Sequence, residues 1–268
     1  MDALQASVDA GVRQAVAARD FGDISRTYWN QGEVVFLEHF FPHRLAEQLI
    51  FEADRVRPYI TRGYVPGHKK AGAVSFHTLI KHAPAITALY ASSSLLDFLR
   101  RLVEATVVRC SEEDLHSCAL YVYTEPGDHI GWHYDTSYYK GDRYTMLVGL
   151  IERSASCRLV AQLHKDHPTR KPEEIRIAMD PGSVVIFNSD KLWHAVTPLE
   201  EGAERIMLTL QFVTNQGMAP FRQLLSNLKD AFVYFGPAAL RRRKASSAVF
   251  HDGPATETSP DAPAGARI

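Results

Sequence analysis

The chain has 268 residues, 46% of them apolar, enough for one large domain with a real core. Thirty Lys and Arg against 31 Asp and Glu leave a net charge of −1, which excludes the basic footprint of a nucleic-acid binder. Three scattered cysteines, Cys110, Cys118 and Cys157, exclude a disulfide framework and fit a reducing compartment.

The opening MDALQASVDAGVRQAVAARD mixes charges into its apolar residues and lacks the apolar run of a signal peptide. No stretch approaches the ~18 apolar residues of a membrane span. A cytoplasmic location without a membrane partner is expected. Helical spacing covers roughly residues 4–19, EVVFLEHFF follows as a short strand, and RLAEQLIFEADRV returns to helical spacing. AVSFHTLI reads as a strand. Residues 83–104 read as two helices broken near Ser92-Ser93-Ser94. After Cys110 the texture changes. SCALYVYT, HIGWHYD, RYTMLVGLIE, CRLVAQLH, EEIRIAM, SVVIFN and RIMLTLQFVT are strand-like, and turns such as EPGD, YKGD, DPGS and EEGAE separate them.

Many short strands after a helical start predict a mainly β domain with flanking α, a double-sheet roll or small barrel with helices outside. The reading is one domain over 1–244. Its helical part is 1–110, its core 115–215, and a C-terminal helix spans 219–236. The basic run at Arg241–Lys244 reads as a solvated helix end. The Pro/Ala/Ser/Gly-rich tail, 245–268, reads as disordered.

The chemistry concentrates in GWHYD. Residues i and i+2 of a strand point the same way, so His133 and Asp135 share a face while Trp132 and Tyr134 take the other. Two His and one carboxylate on one face, with other positions open, is the ligand set of O2-activating non-haem iron. A His-x-Asp alone is weak, and the chain holds a second one, His164-Lys165-Asp166. That copy lies in the polar, Pro-containing LHKDHPTRKPEE, without the rigid support a metal site needs. The first copy follows a strand and the turn EPGD. Farther on, DPGSVVIFN precedes LWHAVTP, which places His194 just past a strand at the mouth of the roll. In RIMLTLQF, Ile206, Leu208, Leu210 and Phe212 form one apolar face; Arg205, Met207, Thr209 and Gln211 form the other. An inward Arg with polar neighbours needs an anion, and guanidinium binds carboxylate bidentately.

The segments GDHIGWHYD, LWHAVTP and ERIMLTLQF resemble the Fe(II)- and 2-oxoglutarate-dependent dioxygenases with an HxD…H…Arg signature. VVFLEHFFPHRLAEQL is similar to the start of their prolyl-hydroxylase-like branch. The resemblance runs from about Glu33 to Thr214. It implies a double-stranded β-helix, a jelly roll of the cupin kind. It implies His133, Asp135 and His194 as catalytic iron ligands, O2 as cosubstrate, and Arg205 as the grip on the distal carboxylate of 2-oxoglutarate. Tyr123, in preference to Tyr121, would be a further donor to that cosubstrate. In related halogenases a small residue replaces the carboxylate ligand and chloride takes its place. Asp135 is retained here, so hydroxylation rather than halogenation is expected, with desaturation or ring closure as variants of the same hydrogen abstraction.

HKKAG, ALYVYTEPGDHIGWHYDTSYYKG and LIERSASCRLV are further similar to a branch acting on free, lysine-like amino acids in natural-product biosynthesis. Enzymes that form nitrocyclopropane from a nitro analogue of lysine are part of that comparison. A free amino acid needs an anion site, a cation site and a dry channel. Lys69, Lys70, Arg143 and Arg158 are candidates for the first. Glu125, Asp128 and His129 are candidates for the second, and Thr209 and Gln211 for hydrogen bonds. The aromatic residues Trp132, Tyr134, Tyr138, Tyr139 and Trp193 are expected to pack around the site. The alternatives are a hydroxylase of peptide side chains, a 2-oxoglutarate-sensing metal-binding jelly roll without catalysis, and a zinc hydrolase.

Overall fold

Period-two alternation in the second half of the chain sorts each strand into a face toward helices and a face toward a cavity. The computed structural model describes residues 2–135 and 139–217. The first half supplies α1 (Asp2–Ala17), α2 (Phe21–Asn30), β1 (Val34–Leu37), α3 (His43–Arg55), β2 (Thr61–Val65), β3 (Lys69–Val74), α4 (Phe76–His82), α5 (Pro84–Ala91), α6 (Ser93–Val103) and the short β4 (Val108–Arg109). The second half supplies β5 (Cys118–Tyr123), β6 (His129–His133), β7 (Arg143–Arg153), β8 (Leu159–Leu163), β9 (Glu173–Ile177), β10 (Val184–Asn188), β11 (Trp193–Val196) and β12 (Glu204–Val213).

The strands pair antiparallel in the order β1-β10-β7-β12-β5-β3-β6-β11-β8-β9, with β2 added on β3 and β4 on β12. Strand β3 forms the corner. Its Gly72–Val74 half pairs with β5 and its Lys69–Lys70 half pairs with β6. The sheet therefore folds over into two facing halves, β10-β7-β12-β5 and β6-β11-β8-β9, the jelly-roll arrangement expected from the sequence.

Ile206, Leu208, Leu210 and Phe212 of β12 join Leu120, Val122, Met146, Val148, Val184 and Ile186 against the helices in one buried cluster. Each such side chain contributes about 1.5–3 kcal/mol of burial. The opposite face of β12 lines the cavity. Helix α1 contacts α5 and α6, and α3 contacts α5 and β7. Glu52 of α3, 4% exposed, caps α5: its carboxylate accepts from the N–H groups of Ala85 (2.8 Å) and Ile86 (2.9 Å). The break between α5 and α6 falls where the serines place it, because Ser92 Oγ accepts the Leu95 N–H at 3.2 Å.

Three readings of the sequence change. AVSFHTLI is a strand only to Val74. From Phe76 the chain is helical, since Phe76 and Leu79, both buried, sit one turn apart. Helix α2 was not expected; Asp20 caps it by accepting from the Asp23 N–H, and Ile24 and Tyr28 bury its inner face. His194 lies within a strand, the four-residue β11, rather than past one. The expected C-terminal helix, the basic run and the tail lie outside the described residues, as does Tyr138.

Candidate active site

The site begins with strand register. His133 of β6 pairs directly with His194 of β11, which brings the two rings to 4.3 Å between centroids. Each ring is oriented the same way: His133 Nδ1 bonds to the Gly131 carbonyl at 2.8 Å and His194 Nδ1 to the Leu192 carbonyl at 3.0 Å. With Nδ1–H donating to a carbonyl, Nε2 keeps its lone pair for a ligand. Asp135 follows two residues after His133. Its Oδ1 lies 3.5 Å from His133 Nε2 and 3.9 Å from His194 Nε2. Its Oδ2 accepts from Thr145 Oγ1 at 3.0 Å, and Thr145 Oγ1 is in turn 2.7 Å from Ser189 Oγ.

Electrostatics prepare these groups as ligands. Burial pushes the His194 imidazole down to about 4, against the pull of the Asp135 carboxylate, so the ring is neutral at neutral pH. Burial alone would raise the Asp135 carboxyl. The interactions with His133, His194 and Arg143 outweigh it and hold the group well below the usual carboxylate range. One atom from each of His133, Asp135 and His194 lies within 4.8 Å of the others, the one such three-residue group among the described residues. The second His-x-Asp forms no such group. Asp166 accepts from the Tyr134 hydroxyl instead, and His164 sits at a positive φ of 57° on its loop.

The three ligands open onto a cavity lined by Tyr121, Tyr123, Thr145, Arg205, Thr209 and Gln211 among others. Arg205, 1% exposed, is held between its register partners on either side. Its Nε donates to Glu152 Oε2 at 3.0 Å and its Cζ lies 5.7 Å from the Tyr123 ring centre. Its Nη1 is buried and has no hydrogen-bond partner among the described residues. Tyr121 is turned to other work, its hydroxyl 2.9 Å from His116 Nδ1.

The remaining candidates divide. Thr209 and Gln211 line the cavity, and the buried Gln211 Oε1 has no partner among the described residues. Lys70, Glu125 and His129 do not line it. Lys70 Nζ donates to the Pro126 carbonyl at 2.8 Å and lies 3.5 Å from Glu125, which also pairs with Arg62 at 3.1 Å. His129 Nδ1 is 2.8 Å from the Gly127 carbonyl. These groups close the turn before β6 around Asp128, whose carboxylate accepts from Arg62 and from the N–H groups of Thr124 and Glu125. Of the candidate cations, Lys69 is fully buried with Nζ 5.1 Å from the Tyr121 ring centre. Arg143 pairs with Asp114 at 3.8 Å and Arg158 with Glu152 at 3.3 Å. Trp132 and Tyr134 turn to the other side of β6 and pack on Trp193, at 6.4 Å and 4.8 Å between ring centres. Thr145 and Glu152 were missed in the sequence. Both are cross-strand partners of β12 residues, Thr145 opposite Gln211 and Glu152 opposite Arg205.

The facing sheets define a double-stranded β-helix, with two histidines and a carboxylate lining its cavity, and solved structures agree on the fold. The epimerase SnoN from nogalamycin biosynthesis, described as non-haem and α-ketoglutarate-dependent, is 11% identical with a TM-score of 0.59, over 75% of this chain and 88% of that one. A Pseudomonas putida prolyl-4-hydroxylase is 16% identical with a TM-score of 0.52, over 74% and 100%. A Trichoplax adhaerens prolyl hydroxylase, solved with a hypoxia inducible factor peptide, is 14% identical with a TM-score of 0.57, over 82% and 96%. The chain itself belongs to the Halogenase D family, whose model matches residues 19–220. Comparison with curated protein sequences finds no match. No helix among the described residues is long and apolar enough to cross a membrane.

Proposed function

We propose that this chain is an Fe(II)- and 2-oxoglutarate-dependent oxygenase that oxidises a C–H bond of a small, free, lysine-like amino acid, with hydroxylation as the outcome. The observation that carries this reading is a pairing within one cavity. Ligand atoms of His133, Asp135 and His194 converge in it, and Arg205, which carries a buried, unpartnered guanidinium nitrogen, lines the same space. Two imidazoles and a carboxylate suit iron(II). The orphaned Arg205 Nη1 suits a carboxylate oxygen, whereas a purely structural metal site would leave that nitrogen without a partner.

When bound, iron(II) with 2-oxoglutarate and O2 supplies the oxidant for an unactivated C–H bond, with succinate and CO2 as coproducts. The chain does the rest. His133 and His194 present Nε2 lone pairs because the Gly131 and Leu192 carbonyls hold their Nδ1–H groups. Asp135 presents Oδ1 because Thr145 holds Oδ2. Arg205 takes the distal carboxylate of the cosubstrate, with Tyr123 beside it. Thr209 and the Gln211 Oε1 acceptor face the substrate, where an acceptor without a donor suits an ammonium or amide N–H. The cavity walls Ile130, Leu147, Leu159, Phe187, Val196 and Met207 exclude water from the reacting centre.

Although the family takes its name from a halogenase, Asp135 fills the ligand position that the reading leaves vacant for halide in halogenating relatives. The product is therefore an alcohol rather than a halide. The test is anaerobic iron loading, addition of 2-oxoglutarate and then O2 in chloride buffer, across lysine, ornithine, arginine, 6-nitronorleucine and a proline-containing peptide, with His194→Ala as control. Succinate release with a free amino acid and a product heavier by one oxygen supports the reading. Loss of two hydrogens from 6-nitronorleucine would replace hydroxylation by ring closure. Turnover of the peptide alone would overturn the amino-acid assignment. Absence of succinate with every substrate would overturn the enzyme.

A further inference from the structure

We infer that Glu152 is a positioning residue for cosubstrate binding, holding the Arg205 guanidinium with its Nη1 edge toward the cavity; this rests on the reading that Arg205 grips a dicarboxylate. Glu152 is all but buried, its side chain 3% exposed. A carboxylate in that position needs a reason, because desolvating it is costly unless every oxygen is engaged. Here each oxygen is. Oε2 accepts from Arg205 Nε at 3.0 Å and from the Met179 N–H at 3.1 Å, and Oε1 accepts from Arg158 Nη1 at 3.3 Å. Arg158 is anchored independently, by the carbonyls of Ser154 at 2.7 Å and Cys157 at 3.0 Å. Glu152 is thus fixed from the backbone side and offers Arg205 a rigid acceptor.

The backbone itself is arranged to put that acceptor there. Along β7, Thr145 and Leu147 point into the cavity and Gly149 continues their alternation. Met207 then pairs with Gly149 and Ile206 with Ile151, so Leu150 is an extra residue, a β-bulge. One extra residue flips the alternation beyond it. Without the bulge the inward position beyond Gly149 would fall on Ile151. With it, Glu152 lies opposite Arg205 on the cavity side. Gly149, next to the bulge, lets the Met179–Asp180 backbone pack against it, since a Cβ there would strike the backbone oxygens of both.

The consequence is geometric. By taking Nε from the strand side, Glu152 fixes the plane and rotation of the guanidinium of a cavity-lining residue and leaves its Nη1 unpartnered, ready for a carboxylate oxygen at no reorganisation cost. A Gln at this position can keep its carbonyl oxygen at the Oε2 place, bonded to Arg205 and Met179, and gives up only the acceptor that faces Arg158, whereas Ala and Met give up all three bonds.

The experiment compares equilibrium binding of 2-oxoglutarate and of 2-oxovalerate, which lacks the distal carboxylate, to anaerobic Fe(II)-loaded wild type, Glu152→Ala, Glu152→Met and Glu152→Gln by calorimetry. The readout is the affinity ratio, since general damage weakens both ligands alike. The wild type is expected to prefer 2-oxoglutarate strongly. Glu152→Ala is expected to lower the ratio by about ten- to a hundredfold. Glu152→Met fills the volume and gives the same loss if the alanine variant does not fold. Glu152→Gln is expected to stay within about threefold of wild type. An unchanged ratio in Ala or Met overturns the inference while leaving Arg205 as the anchor. A loss in Gln as large as in Ala overturns positioning in favour of bare charge. A wild type that does not discriminate between the ligands overturns the Arg205 reading beneath it.

Discussion

Thr145→Val tests whether the hydroxyl behind Asp135 is part of the metal site. The residue is 1% exposed, and Val has nearly its shape, so packing is conserved while one donor vanishes. What is lost is the 3.0 Å bond to Asp135 Oδ2 and the 2.7 Å contact with Ser189 Oγ. Folding stability should fall by roughly 1 kcal/mol for the net hydrogen bond, a Tm shift of about 2–4 °C in a domain of this size. Metal binding should suffer more, because Asp135 is freed to rotate and its Oδ1 no longer faces both His Nε2 atoms. Groups that orient metal ligands are typically worth about 10–100-fold in metal affinity. Anaerobic Fe(II) titration against a competing chelator measures this, with Thr145→Ser retaining the wild-type value. A Thr145→Val protein that binds Fe(II) as tightly as wild type would refute the reasoning.

Other expectations follow from single features. In the metal-free protein, His194 is held at about 4 by burial, whereas the unfolded side chain titrates near 6.5. The unfolded state therefore binds more protons between those values, and stability falls as pH is lowered through that window. The loss is roughly 2 kcal/mol between about pH 7 and pH 5. Urea midpoints should show it and His194→Gln should flatten it; an equal slope in the variant contradicts the assignment. Gly149→Ala forces a Cβ onto the Met179 and Asp180 oxygens and should cost on the order of 1–3 kcal/mol by chemical denaturation. An unchanged midpoint would mean the bulge relaxes freely. Glu52→Ala leaves the first N–H groups of α5 without their buried acceptor and should cost about 1–3 kcal/mol. Glu52→Gln should recover part of it, and no difference between the two would show that the cap contributes little.

The sequence carried the division of β12 into an apolar face and a cavity face, because strand alternation depends on nothing beyond the strand itself. It also carried the convergence of His133, Asp135 and His194 as an expectation, which the register of β6 on β11 now explains. It did not carry Thr145 or Glu152. Their roles depend on which strands become neighbours, and for Glu152 on a bulge that shifts the inward position by one. Local signals were present but outweighed elsewhere. In AVSFHTLI the β-branched start masks the helical spacing of Phe76 and Leu79. In FGDISRTYWN, Asp20 and its bond to the Asp23 N–H form a cap that a short, polar helix makes easy to overlook. Glu125 and His129, close to the metal strand in sequence, and Lys70, brought to it by the pairing of β3 with β6, have contacts in the turn around Asp128.

The most direct test of the account is equilibrium binding of 2-oxoglutarate under anaerobic conditions to wild type, Arg205→Met and His194→Ala, each with and without Fe(II). Tight binding to wild type is expected only when iron is present, with a loss of about a hundredfold or more when Arg205 or the metal site is removed. Binding that is indifferent to iron, or that survives Arg205→Met undiminished, would contradict the joining of the two halves of this cavity into one oxygenase site.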